Sequence, residues 1–309
     1  MMRGVWSLGG LVTRAVRFAW RESATEASDD TVEGLRLVHA VAGFPKDQVD
    51  ACRDGRCGDD AYFFASNAHA DIMGVADGVG GWRQQGVNPA AFSTALLRIA
   101  KRLAEAGRAP PTSPKTLLQL AFMDVRETKG DAFGSSTACL VSLDRQSAIL
   151  HTANLGDSGV MVVRNGRLVL RSQEQQHQFN TPFQLCHPPP GFYLMISDSP
   201  ENAEGVSMAV IPGDVILVGT DGVFDNLPDS WLVPRLSALH ASYADATAVQ
   251  ETADLIARRA HELSRDANYA SPFAVNARAA GFINEVGGKI DDITVLLATV
   301  AAGSPKENL

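Results

Sequence analysis

Short apolar runs joined by tight turns restrict the fold of this 309-residue chain more than any other feature of its sequence. The dipeptide Asn165-Gly166 separates the apolar runs 160–163 and 168–170. Both residues of such a hairpin turn need positive φ angles, which asparagine and glycine tolerate. Further runs of strand length lie at 37–44, 62–65, 72–76, 137–143, 149–153, 206–211, 215–218 and 293–300. Consecutive strands with tight turns predict antiparallel sheets rather than the regular strand–helix alternation of a doubly wound fold.

Three segments show the apolar spacing of amphipathic helices. One begins at Pro89 and ends before Gly107, a second covers about 116–126, and a third covers about 249–263. The first two lie together between blocks of strands, which suits helices packed on the outside of sheets. The chain is therefore predicted to be an α+β sandwich.

Composition excludes several classes of protein. With 45% hydrophobic and 20% charged residues, the chain can bury a sizeable core, which argues against disorder. The formal net charge of −8 argues against nucleic acid as a partner, because binding to phosphates needs a basic surface. No run reaches the roughly 18 uncharged apolar residues of a membrane span, so no membrane-spanning helix is expected.

The four cysteines are too few for a disulfide scaffold. Cys52 and Cys57 have no matching second pair, which argues against a structural zinc site. Reduced thiols in an intracellular compartment are expected.

The amino terminus carries a distinct charge pattern. The first 21 residues contain four arginines and no acidic residue, and apolar residues alternate with the arginines at helical intervals. This pattern is typical of a mitochondrial transit peptide. A secretory signal fits worse, because Arg14 and Arg17 would interrupt its apolar region, and a frayed basic tail is the alternative. Residues 1–30 are predicted to be a transit-like segment and linker, and 31–309 the folded domain.

Three aspartates stand at the ends of apolar runs rather than on charged faces. Asp77 and Asp221 each follow such a run and precede a glycine, and Asp291 lies just before the last run. A single Asp-Gly is usually an ordinary turn. Three carboxylates at the ends of buried strands are costly unless something compensates their charge. Their oxygens, without clustered His or Cys, favour Mg²⁺ or Mn²⁺.

Six ordered motifs across residues 35–301 resemble those of the PPM, or type 2C, family of metal-dependent serine/threonine protein phosphatases. They are Gly58-Asp59-Asp60-Ala61, Asp77-Gly78-Val79-Gly80-Gly81, Gly134-Ser135-Ser136-Thr137-Ala138, Ala153-Asn154-Leu155-Gly156-Asp157-Ser158, Thr220-Asp221-Gly222-Val223-Phe224-Asp225 and Asp291-Asp292-Ile293-Thr294-Val295. The resemblance implies a four-layer α-β-β-α sandwich with two central antiparallel sheets.

Further strings resemble the mitochondrial branch of the family, including Gly81-Trp82 and Ser197-Asp198-Ser199-Pro200. That branch is associated with ubiquinone biosynthesis and with dephosphorylation of mitochondrial proteins. Phosphorylated mitochondrial proteins, ubiquinone-biosynthesis enzymes among them, are therefore the partners that the resemblance implies.

The resemblance also implies a set of ligands for two ions, Mg²⁺ or Mn²⁺. Asp77 would bridge both ions, the Gly78 carbonyl would bind the first, and Asp221 and Asp291 would bind the second. Asp77 and Asp221 are the residues on which catalysis would depend most. Asp59 and Asp60 would hold metal-bound waters. Two ions ~4 Å apart lower the pKa of a water that attacks phosphorus in line.

Two positions depart from the family pattern. Val79 replaces a histidine that is a candidate general acid, so this acid is missing or is replaced by a metal-bound water. Gly55 stands where the family has a phosphate-binding arginine, and Arg53 or Arg56 is the nearby candidate for that role. An active phosphatase is the main hypothesis. A weakly active pseudophosphatase that binds phosphoproteins or acts as a scaffold is the alternative.

Overall fold

The computed structural model describes residues 34–47, 52–127, 132–192 and 195–303. These residues belong to one compact unit, Glu33–Leu309. The transit-like segment and linker predicted at residues 1–30 lie outside the described residues, so that interpretation and the boundary near residue 30 stay predictions. Among the described residues, no helix is both long enough and apolar enough to cross a bilayer.

The described chain contains fifteen strands and six α-helices. The strands are β1 (Leu35–Phe44), β2 (Arg56–Cys57), β3 (Asp60–Ser66), β4 (Ala70–Ala76), β5 (Gly134–Ser136), β6 (Ala138–Asp144), β7 (Ile149–Leu155), β8 (Gly159–Arg164), β9 (Arg167–Arg171), β10 (Gln176–Gln178), β11 (Thr181–Pro182), β12 (Leu185–His187), β13 (Ser207–Ala209), β14 (Val215–Gly219) and β15 (Ile293–Ala302). The helices are α1 (Pro89–Glu105), α2 (Pro114–Glu127), α3 (Asp221–Phe224), α4 (Asp229–Ala238), α5 (Ala246–Ser264) and α6 (Pro272–Ala279).

Two antiparallel sheets form the centre of the molecule. One has five strands in the order β1-β15-β14-β8-β9, and the other has six in the order β13-β7-β6-β4-β3-β2. The predicted hairpin at Asn165-Gly166 is confirmed, because β8 and β9 pair around it and both turn residues have positive φ. Every pair in these two sheets is antiparallel, as the tight turns predicted.

Three apolar layers hold the sheets and helices together. The helices α1 and α2 pack on the six-stranded sheet through residues such as Phe92 and Leu118. The helices α4 and α5 pack on the five-stranded sheet, where Leu232 and Ile256 are buried. Strand residues fill almost all of the layer between the sheets, joined by Val210 just after β13, because alternate side chains of a strand point to opposite faces. The predicted four-layer α-β-β-α sandwich is therefore confirmed.

The expectation that every cysteine is reduced is wrong for one pair. Cys52 and Cys57 form a disulfide, because the turn between them brings their Cα atoms to 4.5 Å. Cys139 and Cys186 are free and buried.

Candidate active site

Antiparallel pairing brings the predicted acidic residues to one end of the sandwich. Gly219 at the end of β14 lies opposite Val295 near the start of β15, so Asp221 and Asp291 come together. Ala76 at the end of β4 lies opposite Ala61 at the start of β3, so Asp77 joins Asp59 and Asp60. Each sheet therefore contributes one group of aspartates to the same end of the sandwich.

Asp60 connects the two sheets. It is fully buried, and its Oδ2 accepts hydrogen bonds from the hydroxyls of Thr220 (2.8 Å), just after β14, and Thr294 (2.7 Å), within β15 of the other sheet. Burial raises the pKa of Asp60, and the nearby Asp292 carboxylate raises it further. The two hydroxyls oppose this shift, because they stabilise the ionised carboxylate.

Asp59 and Asp292 form a second pair across the sheets. Asp292 accepts hydrogen bonds from the backbone N–H groups of Asp59 (2.9 Å) and Lys46 (2.7 Å). Asp59 lies against the guanidinium of Arg83, with two contacts of 2.7 Å. Gly58 has a φ of 69°, and a Cβ there would lie 2.0 Å from Oδ1 of Asp292, so the close approach requires glycine.

Asp77 is the first residue of the loop that follows β4. Its backbone N–H donates to Oγ1 of Thr137 (3.0 Å). Burial, followed by the charge of Asp221, raises the pKa of Asp77 well above its usual range. A Cβ at Gly78 would lie 2.5 Å from the Pro89 carbonyl oxygen, so only glycine fits at this position. The family resemblance assigns the carbonyl of Gly78 itself to the first metal ion.

Asp221 and Asp225 share the ammonium of Lys289. Lys289 Nζ is hydrogen-bonded to Asp221, lies 2.7 Å from Asp225 Oδ2, and is 3.7 Å from Asp291 Oδ2. Burial acts to raise the pKa of Asp221, but the Lys289 charge and hydrogen bond outweigh it and lower that pKa. For Asp225 burial prevails over the same lysine and raises the pKa to about 7.

The donor chemistry of this cluster fits hard divalent cations. One buried oxygen each of Asp60, Asp157 and Asp221 lacks a hydrogen-bond partner, which leaves it available to a ligand. In the described part of the chain, no three acidic, His or Cys side chains converge closely enough to hold an ion as they stand. Lys46 contacts Asp291 and Lys289 contacts Asp221, so ion binding would require each ammonium to withdraw from that carboxylate.

The cluster opens into a cavity of about 530 Å³. Asp77, Asp221 and Asp291 line it, together with the backbone at Gly78 and the hydrocarbon side chain of Val79. Arg53 and Arg56 are not in its described lining. Arg56 instead lines a separate pocket of about 190 Å³ that also includes Asp59 and Arg83.

Several charged residues at the site were not assigned from the sequence. Asp157 and Asp225 lie inside two of the six family motifs, so their membership of these motifs could have indicated that they belong to the site. Lys46 and Lys289 are isolated basic residues in the sequence, and their positions depend on contacts with Asp291 and Asp221. The one local hint for Lys289 is that it stands two residues before Asp291.

Comparison with known proteins defines the class. A family model described as "Stage II sporulation protein E (SpoIIE)" matches residues 70–271. The solved structure of the photosystem II phosphatase PBCP has a TM-score of 0.70 and 29% identity, covering 87% of this chain and 100% of that chain. The structure of the PP2C phosphatase domain with a regulatory fragment of SpoIIE from Bacillus subtilis has a TM-score of 0.55 and 19% identity, covering 88% and 65%. Together with the curated relatives described next, these matches show that the chain belongs to the PP2C, or PPM, family of protein phosphatases.

Within that family, the chain is similar to proteins named Protein phosphatase PTC7 homolog. It is 48% identical over 303 residues to the Homo sapiens protein, covering 97% of this chain and 99% of the relative. It is 49% identical to the Danio rerio protein with the same coverage. The chain is accordingly an enzyme of the protein phosphatase class.

Proposed function

We propose that this phosphatase hydrolyses phosphoserine and phosphothreonine in mitochondrial proteins with two divalent ions, Mg²⁺ or Mn²⁺. Asp77, the Gly78 carbonyl, Asp221 and Asp291 would hold the ions, with Asp59 and Asp60 behind them. One observation carries the proposal: strand ends from both sheets bring Asp77, Gly78, Asp221 and Asp291 to a single cavity, where one buried oxygen each of Asp157 and Asp221 lacks a hydrogen-bond partner.

The chain's own residues explain how such a site would act. Bound divalent ions would activate a water and offset charge on the phosphoryl oxygens. Asp60 is oriented by Thr220 and Thr294, so its position does not depend on a flexible loop. Val79 brings a hydrocarbon side chain to the cavity, so this position cannot protonate the leaving oxygen.

The test of this function is Mn²⁺-dependent hydrolysis of a phosphoserine peptide by Asp77→Asn and Asp221→Asn variants. Each amide keeps the side chain's volume but removes a negative charge and an anionic oxygen. We expect activity to fall on the order of 10²-fold or more, by analogy with the loss of one preorganised electrostatic group. Asp77 is assigned to both ions, so its loss should be at least as severe.

The control is Asp124→Asn, the same change on the partly exposed face of α2, which should leave activity unchanged. Thermal melts of each variant establish that it is folded. Near wild-type turnover by Asp77→Asn would overturn the site assignment. A wild-type protein that binds phosphoproteins but shows no Mn²⁺-dependent hydrolysis would favour the pseudophosphatase alternative.

The mitochondrial part of the proposal is supported by the arginine-rich, acid-free first 21 residues. Ubiquinone-biosynthesis enzymes are the substrates that the family resemblance favours. A reporter fused to residues 1–30 should enter mitochondria, and replacing Arg14 and Arg17 by Glu should prevent entry. A reporter that stays in the cytosol with the native segment would refute mitochondrial targeting.

A further inference from the structure

A phosphoryl group in the cavity would attract a positively charged side chain as well as the metal ions, because it carries about two negative charges. Within the described lining of the cavity, the cationic side chains are Lys46 and Lys289. Arg53, Arg56 and Arg83 are not among the described residues that line it. The choice of a phosphate-binding residue therefore lies between the two lysines.

Lys289 is committed to other carboxylates. Its ammonium contacts Asp221 and lies 2.7 Å from Asp225, for which it supplies the neutralising charge. The side chain of Asn226 also clamps its backbone, donating from Nδ2 to the Lys289 carbonyl and accepting from the Lys289 N–H, both at 2.9 Å. Turning Lys289 toward a substrate would leave Asp225 buried without a positive partner.

Lys46 is held differently. Its Nζ lies 3.1 Å from Asp291, 3.2 Å from Asp59 and 3.4 Å from Asp292. If the Lys46 ammonium moved away, Asp59 would still have its two contacts with Arg83, and Asp292 would still accept hydrogen bonds from two backbone N–H groups. Asp291 would bind a metal ion when the Lys46 ammonium leaves, and its other oxygen lies 3.7 Å from Lys289.

The Lys46 backbone is held by two hydrogen bonds, while its side chain lines the cavity. Its N–H donates to Asp292, and its carbonyl accepts a hydrogen bond of 3.0 Å from Arg265. A Cβ placed on Gly80 would lie 3.9 Å from Lys46 Nζ, so the ammonium faces the loop that follows Asp77. Four methylene groups on a fixed backbone allow the ammonium to shift from Asp291 to a nearby anion.

We propose that Lys46 binds the phosphoryl oxygens of the substrate, in place of the arginine that the family has at the position of Gly55. This proposal rests on the proposed function, because it assumes that Asp291 coordinates an ion. An ammonium is a suitable phosphate ligand as a point charge that needs no bidentate geometry.

The test compares Lys46→Met and Lys46→Arg with wild type by calorimetric titration. Inorganic phosphate is titrated into the Mn²⁺-loaded protein, and Mn²⁺ into the metal-free protein. We expect Lys46→Met to weaken phosphate binding at least tenfold and to raise KM for a phosphoserine peptide more than it lowers kcat. Lys46→Arg should restore most of the phosphate affinity. Lys101→Met, a change at an exposed lysine of α1, is the matched control and should behave as wild type.

Unchanged phosphate affinity in Lys46→Met would overturn the proposal, whether or not Mn²⁺ affinity changes. If Lys46→Met fails to fold, Lys46→Gln replaces it, and the same loss of phosphate affinity is required. Failure of the proposed function would look different, because the wild-type protein would then show no Mn²⁺-dependent hydrolysis.

Discussion

His151 is a buried histidine outside the candidate active-site cavity, and we expect it to make the stability of the protein depend on pH. It lies on β7 with 7% of its surface exposed. Its Nδ1 is 2.7 Å from the Ser207 hydroxyl, and its Nε2 is buried without a hydrogen-bond partner. Burial lowers the pKa of His151, although the Asp144 carboxylate partly opposes this shift. The folded protein therefore resists protonation of this ring.

The sign of the effect follows from linkage. Above the unfolded pKa of about 6.5 the histidine is neutral in both states and adds no pH dependence. As the pH falls below that value, the unfolded chain binds the proton first, so the free energy of unfolding decreases until the folded pKa is passed. We expect wild type to lose more stability than His151→Gln between pH 8 and pH 5.5, measured by urea unfolding. Parallel losses in the two proteins would contradict this role for His151.

Some individual residues of the candidate site could be predicted from the sequence, and others could not. Asp77, Asp221 and Asp291 stand next to apolar runs, so their local sequence marks them as unusual. Lys46 has no such signal, because its place beside Asp291 depends on pairing between segments 245 residues apart. Local patterns indicate where a strand ends, whereas long-range pairing decides which residues meet there.

Among the elements, β8 and β14 pair through their backbones, and a partly buried ion pair also joins β8 to the turn before β14. Arg164 at the end of β8 contacts both carboxylate oxygens of Asp214, at 2.7 and 2.6 Å, just before β14 begins. Asp214 is fully buried, whereas the Arg164 side chain is 28% exposed. The pair fixes the turn at Pro212-Gly213, where Asp214 also accepts a hydrogen bond from the Ile211 N–H (3.0 Å).

Removing the arginine should be costly, because the buried carboxylate would lose its positive partner. We expect Arg164→Ala to lower the free energy of unfolding by about 3–5 kcal/mol. The control is Arg102→Ala, which breaks an ion pair with side chains 69% and 40% exposed and should cost at most about 1 kcal/mol. Urea unfolding measures both changes, and equal small losses would show that the buried pair adds no more stability than the exposed one.

The predicted elements agree with the structure where apolar periodicity is regular. The strand prediction at 72–76 matches β4 (Ala70–Ala76) within two residues, and the prediction at 249–263 lies within α5 (Ala246–Ser264). The helix α4 was missed because Pro234 lies inside it, and proline usually ends a helix. There, burial of Leu232 and Leu236 against the five-stranded sheet outweighs the local preference.

At the scale of the whole molecule, negative charge collects where the two sheets meet. Asp60 and Asp77 come from the six-stranded sheet, and Asp221 and Asp291 adjoin the five-stranded sheet. Like charges at short range raise each other's pKa and oppose close packing of the sheets at this end. A ligand that binds these groups in the folded state alone would stabilise the whole sandwich.

We therefore expect Mn²⁺ to raise the melting temperature and EDTA to reverse the effect. At an ion concentration about 100-fold above Kd, the stabilisation is about 2.7 kcal/mol. For a domain of this size that corresponds to a rise of about 5 °C. The metal-free Asp77→Asn protein should melt at or above the temperature of metal-free wild type, and Mn²⁺ should stabilise it much less. An equal Mn²⁺ shift in both proteins would place the binding ion elsewhere.

The hydrogen bonds of Asp60 have a consequence for the order of events during synthesis. Its partners Thr220 and Thr294 follow it by 160 and 234 residues. The strand β15, which begins two residues after Asp291 and contains Thr294, lies between β1 and β14 rather than at a sheet edge. A nascent chain must therefore leave the ribosome through residue 302 before the five-stranded sheet can close and Asp60 can find both hydroxyls. Until then, the growing polypeptide lacks the complete acidic cluster of the candidate active site.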